Sequence, residues 1–193
     1  MLFRSIFLKL VALYGTVAIA ALGIANRIYQ FCGMPSNGLS MGSGILVGQR
    51  LGAKQFKEAH DVTLLSSVNG LIFSLPFILL LLLAPNQLLS LFLGGSSVSS
   101  EAASLLRIYG LCLIFMSISG GLGSAFFGSG HTRPILNTSL ISGWLVQLPY
   151  ALLVVLVLKL PLPWLWAAYL AGDFLECLLR YRYFLLGGWK QER

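Results

Sequence analysis

Four stretches of this chain, residues 28–49, 62–84, 108–130 and 134–158, contain no charged side chain at all. Each is longer than the roughly 20 residues of helix that span the hydrocarbon core of a bilayer. Two weaker windows flank them, residues 10–26 and 160–186, the latter interrupted by Asp173, Glu176, Arg180 and Arg182. A soluble domain of this size carries about 25% charged residues; here the figure is 10%, against 57% hydrophobic. The expected fold is therefore all-α, a polytopic transmembrane helical bundle of five or six spans in a single domain, residues 1–193. The spans are placed at 1–16 (partial), 17–49, 62–84, 103–130, 134–158 and 163–186.

A net charge of +7 suggests nucleic acid, but its distribution argues against such a partner. Arg50, Lys54, Lys57, Arg133, Arg180, Arg182, Lys190 and Arg193 fall at alternate ends of successive spans, while Arg107 and Lys159 mark the opposite ends. Excess Lys and Arg in short loops marks the cytoplasmic side. The charge is thus a topology signal, and it predicts a multi-pass cell-membrane protein with its C-terminus in the cytoplasm.

Residues 17–49 hold only Arg27 as a charge and are too long for one upright span, about 50 Å of helix at 1.5 Å per residue. Either one long, tilted or kinked helix projects from the membrane, or the chain breaks near Gly23. Tyr14-Gly15-Thr16 reads as a turn, which leaves residues 1–13 too short to cross alone and hints at something missing upstream. Pro76 falls within the next span. Gly94-Gly95-Ser96-Ser97 with Ser99, Ser100 and Glu101 reads as an outer loop, Thr132-Arg133-Pro134 as a tight inner turn, and Pro149 as a kink. No cleavable signal peptide is expected.

On a helix, Asn26, Gln30, Met34, Asn37, Met41, Gly44 and Gly48 share one stripe at 3.6-residue spacing. Three amides would not face hydrocarbon, because each unpaired one costs several kcal/mol there. The stripe either lines a substrate cavity or binds helices together. Glycine and serine recur every fourth residue at Gly38–Gly42, Gly44–Gly48–Gly52 and Gly120–Ser124–Gly128, a spacing that lets helix backbones approach closely. In the last span Tyr169, Asp173, Glu176 and Arg180 share a second stripe. A carboxylate within the membrane points to function: Asp173 and Glu176 are candidate proton or cation sites, although Glu176 and Arg180 at i, i+4 can also pair with each other. Arg180 and Arg182 are expected to snorkel to the cytoplasmic surface. Asn137, Trp144 and Gln147 give the fifth span a polar, aromatic side suited to substrate contact or to local hydrogen bonding near Pro149.

Cys32, Cys112 and Cys177 have unrelated spacings inside apolar windows, so no disulfide framework or metal cluster follows. No GxxxxGK, HExxH or Ser-His-Asp set is present, and neither an enzyme nor an ATP-driven pump is expected.

One run adds a resemblance. Met34-Pro35, Gly38 and Val47-Gly48-Gln49-Arg50-Leu51-Gly52-Ala53, followed later by Phe127-Gly128-Ser129-Gly130-His131-Thr132-Arg133-Pro134, Gln147-Leu148-Pro149 and Gly187-Gly188-Trp189-Lys190, resemble spans seven to twelve of the multidrug and toxic compound extrusion (MATE) family. That resemblance implies the C-terminal lobe of a twelve-span antiporter built from two six-helix lobes, exporting small cationic or amphipathic compounds in exchange for Na⁺ or H⁺, with no other cofactor. It implies a substrate cavity lined by Asn26, Gln30, Met34 and Asn37, with Asn137 and Gln147 as further candidates. It also implies a partner, either a separate N-terminal lobe or a second copy of the chain, within the lipid bilayer. The alternative is a truncated, non-transporting remnant or a membrane scaffold subunit. Several relatives carry an acidic residue in the seventh or tenth span; residues 4–13 and 108–130 hold none.

Overall fold

The computed structural model describes residues 2–93 and 100–190, and among these it is helical throughout apart from short turns. Seven helices follow one another: α1 (Leu2–Ala12), α2 (Thr16–Gly52), α3 (Phe56–Leu83), α4 (Pro85–Leu93), α5 (Ser100–Gly128), α6 (Arg133–Val157) and α7 (Leu162–Leu185), with a single 3₁₀ turn at Gly188–Lys190. Four of them, α2, α3, α5 and α6, are long and apolar enough to cross a membrane. The 24-residue α7 has the length, but its charged side chains keep it outside that group. The outer loop read from the sequence lies, from Gly94 to Ser99, outside the described residues.

The chain does not break near Gly23. α2 is one helix of 37 residues with Pro35 inside it, about 55 Å long. The break comes earlier, where Gly15 takes φ 99° and ψ 175°, a conformation open essentially to glycine alone. Tyr14 fastens this turn by donating its hydroxyl to the Leu160 carbonyl at 2.7 Å, so the α1–α2 corner is tied to the α6–α7 connection. α1 itself buries Phe7, Leu10 and Val11 against the bundle.

α5 is the central helix, packed against α2, α3 and α7. Small residues make that possible. Ser36, Ser74 and Ser117 meet where α2, α3 and α5 cross: Ser36 donates to the Gly70 carbonyl at 2.9 Å, its oxygen lies 2.6 Å from that of Ser74, and Ser117 donates to Ser74 at 2.9 Å. Such side chains satisfy one another away from water while letting the backbones close up. Nearer the end of the bundle, Gly128 lies so close to α2 that an added methyl would sit 2.5 Å from the Gly44 carbonyl oxygen and 2.8 Å from the Gly48 nitrogen. Gly38, Gly42 and Gly52, from the same spacing pattern, meet nothing within 4 Å. Only part of the expected small-residue seam is therefore a helix contact.

Pro149 is flanked by widened helical turns on both sides. Proline has no N–H to return to the previous turn and crowds the carbonyl four residues back. α6 responds by winding wide on both sides, as π-helix over Ile141–Gln147 and again over Leu153–Val157. The Leu148 N–H accordingly reaches the Gly143 carbonyl, one residue beyond the α-helical partner.

A second, smaller core of Val47, Ala59, Leu122, Phe126, Phe184 and Trp189 ties together the last turns of α2, α5 and α7 and the first of α3. Arg50, Lys54, Lys57, Arg133 and Arg182 thus share one end of the bundle, while Arg107 and Lys159 belong to helix ends that lead away from it. The alternation read from the sequence has become a basic end and a less charged one.

Candidate functional site

The predicted polar stripe on α2 faces a row of cavities. Asn26 and Gln30 line one of about 470 Å³ together with Phe7, Tyr29 and Tyr169, between α1, α2 and α7. Asn37 lines the next, about 300 Å³, with Met116, Asp173, Glu176 and Arg180 from α5 and α7. Met41, Gly44 and Gly48 line the third, about 430 Å³, with Phe127 and Gly128 of α5. Met34, between Gln30 and Asn37 in the sequence, is 62% exposed and lines none of the three. One helix face therefore presents amides, methionines and glycines in order along three cavities, because residues three and four apart stack on one side of a helix.

The two readings of the amides turn out not to exclude each other. Asn26 lines a cavity, and it also accepts a hydrogen bond from the Tyr109 hydroxyl at 2.6 Å, which joins α2 to α5. Gln30 and Asn37 are exposed on the cleft side. Asn137 is exposed on α6, away from the α2 cavities, and Gln147 is buried where α6 packs across Gly172 of α7. The structure thus places Asn26 and Gln30 in one cavity and Asn37 in another, leaves Met34 exposed and outside both linings, and sets Asn137 and Gln147 apart from these cavities.

The two carboxylates of α7 have different surroundings. Glu176 pairs with Arg180 and accepts a hydrogen bond from the Ser139 hydroxyl at 2.9 Å. Arg180 does not snorkel outward as expected. It turns inward, donating to the Ser119 carbonyl at 3.2 Å and towards Thr138 at 3.4 Å. Its guanidinium offers five donors in a fixed fork, enough to join α5, α6 and α7 at one point. Asp173, one turn earlier, receives the Tyr29 hydroxyl at 3.4 Å and faces the Cys112 thiol, with no salt bridge among the described residues. Two carboxylates a turn apart, both lining the cavity with Asn37, thus divide into one paired with an arginine and one with no ion pair among the described residues.

Sequence reading placed Tyr169 on the stripe of Asp173 but missed Tyr29 and Tyr109, which complete an aromatic wall there. Tyr29 stacks on Tyr109 at 4.5 Å between ring centroids, and Tyr109 meets Tyr169 edge-on at 5.5 Å. Tyrosines in membrane helices normally sit at the interfaces. Tyr29, in the middle of a 37-residue helix and three residues from Asn26, was the signal available. Tyrosine rings and a carboxylate with no ion pair among the described residues suit a proton or a positively charged group.

Residues 1–153 match the profile of the MatE family. The chain is 25% identical, over 96% of its length, to a probable multidrug resistance protein NorM of Thermotoga maritima. It is 26% identical over 93% of its length to the probable multidrug resistance protein YoeA of Bacillus subtilis. It is 30% identical over 70% of its length to a probable NorM of Mannheimia succiniciproducens. It spans 40%, 39% and 29% of those relatives, respectively. A profile match running through α1 to α5 and most of α6, on an all-helical bundle with four helices able to cross a membrane, makes this chain a member of the MatE family.

Proposed function

We propose that the chain is the C-terminal lobe of a multidrug antiporter that exports cationic or amphipathic compounds in exchange for Na⁺ or H⁺. It does so together with an N-terminal lobe packed against the open face of α2. The observation that carries this reading is the row of cavities along that face with Asp173 and Tyr29 at its middle. A lone lobe would leave Gln30, Met34, Asn37 and Met41 in contact with lipid; a second lobe turns the same surface into one wall of a pathway. Repeat-built transporters place substrate between their repeats near the midplane and rock them about it. In this reading the basic end faces the cytoplasm, Asp173 binds the coupling ion or the substrate's positive charge, and no covalent chemistry takes place.

The test is efflux of a cationic dye from cells lacking their own pumps. The chain co-expressed with the N-terminal six spans of a relative should lower dye accumulation; the chain alone should not. Asp173→Asn should abolish the effect at unchanged membrane abundance, whereas Asn137→Ala should leave it intact. Efflux by the lone chain would contradict the two-lobe reading. The rival, a non-transporting scaffold, gains support from Glu176 and Asn26 already being engaged by Arg180 and Tyr109. It predicts no efflux in any combination.

A further inference from the structure

Asp173 meets hydrogen-bonding groups from two other helices. The Tyr29 hydroxyl of α2 donates to it at 3.4 Å, and the Cys112 thiol of α5, itself fully buried, faces it as well. A phenol and a thiol can each donate or accept. The carboxyl therefore keeps partners in both of its forms, accepting from them when ionised and donating to the phenol oxygen when protonated. The other polar groups of the same cavity of about 300 Å³ are already engaged. Glu176 and the Ser119 carbonyl both accept from Arg180. With that pair closed on itself, the cavity keeps one net negative charge, on Asp173, and a single proton cancels it.

We propose that Asp173, Tyr29 and Cys112 form a proton-binding site that does not take Na⁺, with Tyr29 as the positioning residue that orients the carboxyl. Hard cations are held by carboxylate, carbonyl and water oxygens, whereas sulfur suits soft metals. Here a thiol stands beside the carboxylate, the neighbouring carboxylate and carbonyl are spent on Arg180, and the guanidinium's positive charge lies in the same cavity. A proton needs none of those oxygens. It adds from the cavity to one carboxylate oxygen as an O–H bond and leaves when that bond breaks, with nothing oxidised or reduced. The titratable and charged groups that face Asp173 are Tyr29 from α2, Cys112 from α5, and Glu176, Cys177 and Arg180 on α7 itself. α6 reaches the group through the Ser139 hydroxyl on Glu176. The inference names the coupling ion and rests on the transporter reading above for its use in transport; proton binding itself rests on the geometry.

The experiment is infrared spectroscopy of the purified chain, with Cys32 and Cys177 replaced by alanine, titrated with acid in choline chloride and again in sodium chloride. Acid should bring up the C=O band of a protonated carboxyl, with the same midpoint in both salts. Asp173→Asn should lose that band, and Asp61→Asn, which removes an exposed carboxylate from the first turns of α3, should keep it. Tyr29→Phe should shift the band to higher frequency, because the carboxyl loses a hydrogen-bond partner, a signature that a merely structural role would not produce. The Cys112 S–H band, assigned by its loss in Cys112→Ser, should shift with the same midpoint. A midpoint displaced by sodium would overturn the proposal in favour of a cation site, and so would a band that Asp173→Asn leaves in place. Should Asp173→Asn fail to fold, the S–H band decides: a shift on titration supports the site, and a band that stays fixed overturns it. Efflux that fails while the bands titrate would sink the transporter reading and leave the proton site standing. Efflux without a titrating band would do the reverse.

Discussion

Arg180 is the side chain on which most neighbours depend. Its side chain and that of Glu176 are only 13% and 21% exposed, so removing one partner strands the other charge in a poorly solvated place. Breaking such a pair from one side costs about 3–5 kcal/mol, while replacing both partners costs much less. Arg180→Gln should therefore lower the melting temperature of the purified chain more than Glu176→Gln/Arg180→Gln does, and the double-mutant cycle should give a coupling energy above about 1 kcal/mol. Additive effects would mean that the pair is solvated and that its depth in the fold has been misjudged. The i, i+4 spacing made this ion pair legible in the sequence. What the sequence could not show is that Ser119, Thr138 and Ser139 complete it. Those residues come from two other helices, and the hydroxyl of a serine carries no directional signal along the chain. The same limit hid Tyr29 and Tyr109, whose meeting depends on how α2 rotates against α5.

At the scale of helices, the sequence was informative wherever the chain's own chemistry decides. Pro149, the Tyr14–Thr16 turn and the charge-free windows all depend on local rules, and each has a counterpart in the structure. Which glycines face a neighbour depends on helix rotation, and there the spacing pattern over-reached. Gly128 touches α2 whereas Gly38 touches nothing, although both belong to small-residue series. Gly128→Ala should cost about 1–3 kcal/mol, as overpacking does, and Gly38→Ala should change stability by less than about 0.5 kcal/mol; thermal melting of the two variants in one detergent compares them directly. Gly15 tests a different cause. Nothing lies within 4 Å of a methyl placed there, yet its φ is +99°. Gly15→Ala should be destabilising by about 1–3 kcal/mol from backbone strain alone. Gly23→Ala, in a helix and equally free of neighbours, should be neutral or stabilising, since alanine is the better helix former. If both behave alike, the α1–α2 corner is not held in the conformation described.

For the molecule as a whole, the unequal treatment of its surfaces is the main clue to how it works. The lipid-ready faces of α3 and α6 carry leucine, isoleucine and phenylalanine, such as Ile72, Phe73, Leu145 and Leu156, all more than half exposed. The open face of α2 instead alternates Gln30, Met34, Asn37 and Met41, and hydrocarbon is a poor partner for amides. A surface of that composition is stable in a membrane when another protein surface or water meets it. Cysteine introduced at Asn37 should then react with a membrane-impermeant thiol reagent in cells expressing the chain with an N-terminal lobe, where a watery pathway reaches it. Cysteine at Leu145, on the apolar side of α6, should stay unreactive in the same cells. Adding the transported dye should slow labelling at position 37 and leave position 145 unchanged. The three native cysteines, Cys32, Cys112 and Cys177, are buried or half-buried, and replacing them by serine or alanine first removes background. Protection at 37 by the dye would place the substrate against the α2 face. Equal, dye-insensitive reactivity at 37 and 145 would mean that α2 has no aqueous pathway beside it, and the two-lobe transporter would give way to the scaffold.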